Sequence, residues 1–381
     1  MVTKRIRGLD GLRGVAILLV MLFHYVNPSG LGVFGRFCSV GWIGVDLFFV
    51  LSGFLITGIL FDVQNEQGYL RNFYIRRVLR LFPAYFVFIG VTLLLAQGPG
   101  VYPWHVTAPF LFYGANLVYL FEPNFQSVGP VTVIHLWSLA LEEQFYLVWP
   151  WLLALAATRE RILKMCVVGM IGSLALRLML ANAHLPPAAL YAELPTRADS
   201  LLIGAAIAMM VRDPRFDLRG NIQHVRAAGL IAALAFLWMG HQSGFSFKMD
   251  PVKTWGFSYV AVAAGAAVLL AKTEGTWTNQ LCATRLLRFF GKYSYGIYLF
   301  HFAPAQQFLR FLTWLHHSIH QQGLASIIGF LVILAVVTSA AMLSFHLIEK
   351  PFLQLKKRFE QQSAATETPS ATDLAAEAAG S

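Results

Sequence analysis

The sequence predicts an all-α fold: a polytopic bundle of transmembrane helices occupying residues 1–358, followed by a disordered cytoplasmic tail over 359–381. Three observations predict it. Hydrophobic residues make up 57% of the 381 positions and the mean hydropathy is +0.60, which is not a soluble composition. Apolar runs long enough to cross a bilayer recur along the chain. Lys and Arg gather in short clusters between those runs, as they do in loops held on the cytoplasmic side. The net charge of +10 follows from that arrangement and calls for no nucleic-acid partner. Cys38, Cys166 and Cys282 are odd in number and far apart, so neither a disulfide framework nor a metal site is expected.

Taken in order, the expected spans are 12–27, 41–62, 82–97, 135–157, 163–183, 198–211, 226–241, 255–272, 290–313 and 324–348. The first has no small-residue cleavage site after it, so it is not read as a signal peptide. The interval 105–121 is also apolar. Six basic clusters begin at Lys4, Arg71, Arg159, Arg212, Lys272 and Lys350, and they share one side only if 105–121 does not cross. It is therefore expected to be re-entrant or to lie at the outer surface, giving about ten spans with both termini cytoplasmic. Trp42, Trp104, Trp137, Trp255, Trp277 and Trp314 fall near span ends, where interfacial aromatics belong. Residues 361–381 carry almost no large apolar side chains, and no second globular domain is expected after the spans. The sequence has no evident internal repeat, which disfavours an inverted-repeat transporter.

Polar residues inside apolar spans are expensive and mark functional hypotheses. In the first span, eleven steps of 100° return Arg13 and His24 to nearly one face, roughly 16 Å apart. His24 either hydrogen-bonds a neighbouring helix or does chemistry. Asp46 sits near the outer end of the second span, among Gly44, Ser52, Gly53 and Thr57, where small residues and hydroxyls suit close packing. The loop into the third span carries Arg76, Arg77 and Arg80 before Pro83. These either keep that loop cytoplasmic or hold phosphates of a ligand arriving from that side. The fourth span runs from His135 through Trp137, Ser138, Glu142, Glu143, Gln144 and Tyr146, the most expensive polar cluster in the chain. Arg177 needs a partner, Arg197 and Asp199 open a short span, and Tyr298 and His301 share a face further on. Together these groups outline a polar cavity within the bundle.

Five stretches in order resemble acyltransferase family 3. They are Leu-Asp-Gly-Leu-Arg-Gly with its Arg13-x10-His24 pair, and Gly-Val-Asp-Leu-Phe-Phe-Val-Leu-Ser-Gly-Phe-Leu-Ile-Thr from Gly44. The others are Arg-Arg-Val-Leu-Arg-Leu-Phe-Pro from Arg76, Trp-Ser-Leu-Ala-Leu-Glu-Glu-Gln-Phe-Tyr from Trp137, and Tyr-Ser-Tyr-Gly-Ile-Tyr-Leu-Phe-His from Tyr293. They span about residues 5–350. The resemblance implies a bacterial inner-membrane enzyme that moves an acyl group, commonly acetyl from acetyl-CoA, onto a hydroxyl. The acceptor would be a carbohydrate, a lipid-linked glycan or a small molecule. Acyl-CoA would be a co-substrate, with no tightly bound cofactor and no metal. Some members carry an appended extracytoplasmic domain; none is expected here, so transfer would be completed in the membrane domain or passed to a partner. On this reading Arg13, Arg76, Arg77 and Arg80 hold the CoA phosphates. His24 is general base or acyl acceptor, and Glu142 or Glu143 orients it or helps position the acceptor. Asp46, Asp199, Tyr298 and His301 would line the substrate cavity. The competing classes are a proton-coupled exporter or flippase of polysaccharide precursors and a membrane scaffold of a synthesis complex.

Overall fold

The computed structural model describes residues 6–29, 31–96, 104–122, 124–183, 190–319 and 321–354. It is an all-α bundle. The helices are α1 (Arg7–Tyr25), α2 (Gly32–Ser39), α3 (Ile43–Val63), α4 (Tyr69–Leu95), α5 (Trp104–Leu111), α6 (Ala115–Phe121), α7 (Leu136–Ala156) and α8 (Arg159–Asn182). They continue as α9 (Leu194–Met210), α10 (Ile222–Ser243), α11 (Phe257–Lys272), α12 (Trp277–Cys282), α13 (Arg285–Phe300), α14 (Ala305–Ser318) and α15 (Gln322–Ser344). Single π-helical turns, Val252–Gly256 and Phe345–Glu349, lead into α11 and extend α15. A two-residue hairpin pairs Ser127 with Thr132 and Val128 with Val131. Residues 1–5, which hold the Lys4 cluster's first members, and the expected tail at 359–381 lie outside the described residues.

Helix α1 is central because its glycines let neighbours approach backbone to backbone. Gly8, Gly11 and Gly14 recur every three residues, hence along one face. A Cβ at Gly11 would lie 1.6 Å from the carbonyl oxygen of Cys282, and one at Gly14 would lie 2.0 Å from that of Leu287. Gly291 of α13 answers in kind, its Cβ position being 1.8 Å from the Asp10 carbonyl oxygen. The pair α3 and α9 repeats the device: Gly53 faces the Leu201 carbonyl at 1.9 Å and Gly204 faces that of Val50 at 2.0 Å. Small residues at such crossings are how helices pack where lipid gives no hydrophobic drive. The resulting core runs through α1, α3, α7, α9 and α11, with Ile17, Phe49, Leu51, Trp149, Leu201 and Ala261 buried.

Seven helices are long and apolar enough to cross a membrane among the described residues: α1, α3, α4, α8, α10, α11 with its π turn, and α15 with its extension. The remaining expected spans correspond to α7, α9 and α13, which carry the polar clusters or are shorter. Three expectations are corrected. The arginine-bearing stretch before Pro83 is not a loop, because α4 already begins at Tyr69 and runs through Pro83. The expected span 290–313 is two helices broken between Phe300 and Ala305, where Pro304 cannot donate to the helix ladder. Trp42 and Trp137 are buried rather than interfacial, whereas Trp104, Trp255, Trp277 and Trp314 are exposed. The interval 105–121 forms no single span: α5 and α6 are 8 and 7 residues long, turning at Tyr113 with φ 52°.

Candidate active site

The polar residues of α1, α3, α4, α7 and α13 converge on a cavity of about 560 Å³. Its basic end is walled by Arg13, Arg77, Arg80, Arg212 and Lys272, so three basic clusters that are distant in sequence meet at one mouth. Arg212 is held there by two hydrogen bonds to Asp62, at 2.7 and 2.6 Å. Its guanidinium lies over Gly58, where a Cβ would come within 2.6 Å of Nη2. The rest of the lining is largely aromatic and aliphatic, with Phe48, Tyr113, Tyr295, Tyr298, Leu55 and Leu139 among it.

Helix α7 distributes its three consecutive polar residues to three neighbours. Glu142 accepts a hydrogen bond from Ser52 of α3 at 2.5 Å. Glu143 faces Arg77 of α4 at 3.4 Å, and the same guanidinium lies 3.3 Å over the ring of Tyr146. Gln144 donates to Asn116 of α6 at 2.8 Å and to the Tyr113 carbonyl at 3.2 Å. A helix with polar groups on adjacent positions cannot hide them on one face. Each therefore finds a different helix, and Glu142 and Glu143 both open into the cavity.

At the far end of α1 stands a second constellation. His24, His135 and His301 form a chain of imidazoles, with ring centroids 5.1 Å apart from His24 to His301 and 4.7 Å from His301 to His135. Each ring meets one backbone carbonyl: His24 Nδ1 with Val20 O at 2.9 Å, His135 Nε2 with Leu299 O at 3.0 Å, and His301 Nδ1 with Tyr298 O at 2.6 Å. A carbonyl only accepts, so each of those nitrogens is the donor and the other ring nitrogen carries the lone pair. The free lone pairs are therefore His24 Nε2, His135 Nδ1 and His301 Nε2. Tyr25 donates to the His301 carbonyl and fixes that end of α13.

Tyr298, with Ser138 beside it, touches both constellations. Tyr298 lines the cavity, while its ring packs 5.2 Å from His301 and 5.7 Å from His135. Its hydroxyl is tied to Ser138 Oγ and donates to the His135 carbonyl at 3.2 Å.

Of the residues singled out from sequence, Arg13, Arg77, Arg80, Glu142, Glu143 and Tyr298 share the cavity, and His24 and His301 share the imidazole cluster. Five placements differ from expectation. His301 does not line the cavity and sits instead in the imidazole cluster, against Tyr298. Arg76 is exposed and does not line the cavity, standing one turn before Arg80 on α4. Glu142 and Glu143 do not orient His24, because both sit in the cavity nearer the basic end and are engaged by Ser52 and Arg77. Asp46 is no cavity wall: fully buried, it pairs with Arg197 at 2.7 Å and accepts from Ser200 at 2.9 Å. Asp199 likewise pairs with Arg177 at 2.6 Å and accepts from Ser258 at 2.7 Å, which supplies the partner that Arg177 requires. Ser52, Tyr146 and Arg212 were not singled out as site residues. Tyr146 stands three and four residues after Glu143 and Glu142, so helical spacing alone places it on their face. Arg212 read only as one more cytoplasmic charge.

Comparison with known proteins bears on this arrangement. A family model described as an acyltransferase domain matches residues 6–346. A Staphylococcus aureus (strain COL) protein assigned by name as an O-acetyltransferase is 30% identical over 92% of this chain and 57% of its own length. A Bacillus subtilis (strain 168) protein assigned by name as a peptidoglycan O-acetyltransferase is 30% identical over 91% of this chain and 55% of its own length. The Listeria monocytogenes peptidoglycan O-acetyltransferase OatA is 30% identical over 78% of this chain and 49% of its own length. The chain thus spans about half the length of these relatives. No solved structure matches. With the matched region enclosing both the cavity and the imidazole cluster, the chain belongs to the acyltransferase domain family that its five motifs resemble, acyltransferase family 3.

Proposed function

We propose that this protein is a membrane-embedded O-acyltransferase that moves an acyl group, acetyl in the simplest case, from acyl-CoA to a hydroxyl of a carbohydrate or related acceptor. The observation that carries this reading is α1 itself. It places Arg13 in the wall of a cation-lined cavity and His24, with Nδ1 turned to a carbonyl and Nε2 left as a base, about 16 Å further along. The nucleotide end of the donor carries phosphates, which arginines and lysines bind best. Arg13, Arg77, Arg80, Arg212 and Lys272 would hold it at the basic end, which the positive-inside rule assigns to the cytoplasm of the bacterial inner membrane. The flexible thiol-bearing arm would then extend past Phe48 and Tyr298 toward His24.

In direct transfer, His24 Nε2 takes the proton of the acceptor hydroxyl as its oxygen bonds to the thioester carbonyl carbon. The C–S bond breaks, the thiolate leaves with the bonding pair, and the proton returns to sulfur. Ser52 and Glu142 would position the donor within the cavity. Two of the relatives, those of Bacillus subtilis and Listeria monocytogenes, are named as peptidoglycan O-acetyltransferases, which makes a cell-wall or surface glycan the first acceptor to try.

The test is release of free CoA by purified protein in detergent, with acetyl-CoA and glycan fragments, for wild type and His24→Ala. Release by the wild type that is lost in a folded His24→Ala supports the reading. Equal release by both removes His24 from the chemistry. Transport of a glycan precursor without any CoA release replaces the enzyme with the exporter.

A further inference from the structure

We propose that His301, backed by His135, is a positioning residue that takes over the proton His24 removes from the acceptor; this rests on the acyltransferase reading above. The basis is a pair of unpartnered atoms. His301 Nε2 and His135 Nδ1 are both buried without a hydrogen-bond partner, although the opposite nitrogen of each ring is tightly bound to a carbonyl. Leaving one buried polar atom unpaired costs on the order of 1–3 kcal/mol, and native structures keep few such groups without reason. Here two stand in adjacent rings, and the third ring of the chain is His24. Phe side chains would fill the same volume without that cost.

The surroundings define what the pair can do. The groups packed on the three rings are Phe23, Phe88, Phe302 and Tyr298. The Tyr25 and Tyr298 hydroxyls are directed to backbone carbonyls and to Ser138. The acids nearest in sequence pattern, Glu142 and Glu143, are committed to Ser52 and Arg77. An imidazolium formed at His24 therefore meets aromatic surface and the ring of His301, with that of His135 beyond it. In such a medium a charge-assisted hydrogen bond between nitrogens is worth more than in water.

His24 Nε2 accepts the proton of the acceptor hydroxyl while the acceptor oxygen bonds to the acyl carbon. Once the ester has formed, its oxygen no longer competes for that proton, and His301 Nε2 accepts it from the His24 imidazolium. The C–S bond has broken with its electron pair on sulfur, and the thiolate takes the proton back through His24. His135 Nδ1 serves His301 as His301 serves His24.

The experiment uses substitutions that keep each carbonyl hydrogen bond and delete only the lone pair. In His301→Asn the amide N–H stands near the Nδ1 position, and in His135→Gln it stands near the Nε2 position. Both are assayed with wild type and His24→Ala for CoA release against acetyl-CoA concentration, alongside thermal unfolding in detergent. We expect kcat of His301→Asn to fall about tenfold or more, a smaller fall in His135→Gln, and the KM for acetyl-CoA and the unfolding temperature to stay at wild-type values. His301→Phe, which fills the space without either nitrogen, should lose at least as much. Wild-type kcat in His301→Asn, with His24→Ala inactive, overturns this inference and leaves the acyltransferase reading standing. A fall in kcat matched by a rise in KM and a lower unfolding temperature also overturns it, since that marks a packing role. Absence of CoA release by the wild type overturns both.

Discussion

Replacing Asp46 tests whether a buried acid in this bundle serves structure or substrate. Its partner Arg197 is 0% exposed, donates to Asp46 Oδ1 at 2.7 Å, and lies 3.7 Å over the ring of Phe257. Asp46→Ala leaves that guanidinium in an aromatic box with its charge unmet, as Nε and Nη1 have no other acceptor. Removing one member of a buried pair typically costs about 3–5 kcal/mol. The loss extends to Ser200, whose hydroxyl also binds Asp46. We therefore expect Asp46→Ala to lose about 3–5 kcal/mol of unfolding free energy. Asp46→Asn, which keeps an acceptor oxygen, should lose less. Asp46→Leu combined with Arg197→Met removes both charges and should recover most of the loss, because buried pairs are often replaceable by apolar groups. The assay is equilibrium unfolding in detergent followed by tryptophan fluorescence, together with the KM for donor and acceptor of each folded variant. A stable Asp46→Ala, or an Asp46→Asn with wild-type stability and a raised acceptor KM, would refute the structural assignment and return Asp46 to the substrate site.

Three further outcomes are expected. Gly11→Ala drives a Cβ to 1.6 Å from the Cys282 carbonyl oxygen and must push α1 off its neighbour, whereas Gly172→Ala meets nothing within 4 Å. Folded yield on size exclusion should collapse for the first and stay at wild type for the second. Arg77→Gln and Arg80→Gln should raise the KM for acetyl-CoA while leaving kcat within a few fold. The effect at Arg80, which is open to solvent, should shrink as salt is raised, because exposed charges are screened. Tyr298→Phe removes the hydroxyl that ties α13 to Ser138 and the His135 carbonyl. It should cost roughly 0.5–1.5 kcal/mol per hydrogen bond and raise CoA release in the absence of acceptor, as the packing before His24 loosens; unchanged release would show that Tyr298 is no barrier.

Hydropathy made most of the long helices legible, because a span announces itself by twenty apolar residues in a row. It failed where the local pattern was mixed. The first three turns of α4 read as a loop because Arg71, Arg76, Arg77 and Arg80 punctuate them. The break between α13 and α14 was hidden because Phe300, Phe302 and Ala303 keep the run apolar across it. At the site, residues on one helix can be related by angle, which puts Arg13 with His24, and Tyr298 with His301, on common faces. Pairings between helices cannot. Asp46 and Arg197 lie 151 positions apart, and each alone looks like a lone intramembrane charge suited to a cavity. His135 and His301 were visible singly, but nothing in the spacing of either brings them to His24.

The distribution of charge between the two ends of α1 fits the two demands of the proposed reaction. A phosphate-bearing donor needs fixed cations, and those cations need carboxylates nearby to hold them in place: Asp62 for Arg212 and Glu143 for Arg77. A base that must take a proton has to be neutral beforehand, and a carboxylate beside it would favour the charged form. Placing Glu142 and Glu143 with the arginines, and leaving the three imidazoles bonded to backbone carbonyls, satisfies both demands within one bundle. Tyr298, with Ser138 beside it, touches both environments, lining the cavity while its ring packs against His135 and His301. Placing an acid at that junction, as in Tyr298→Glu, should therefore damage turnover more than truncating Tyr298 to Phe, although both remove the same hydroxyl. Equal kcat for the two variants would show that the neutrality of the imidazole cluster has no part in the chemistry.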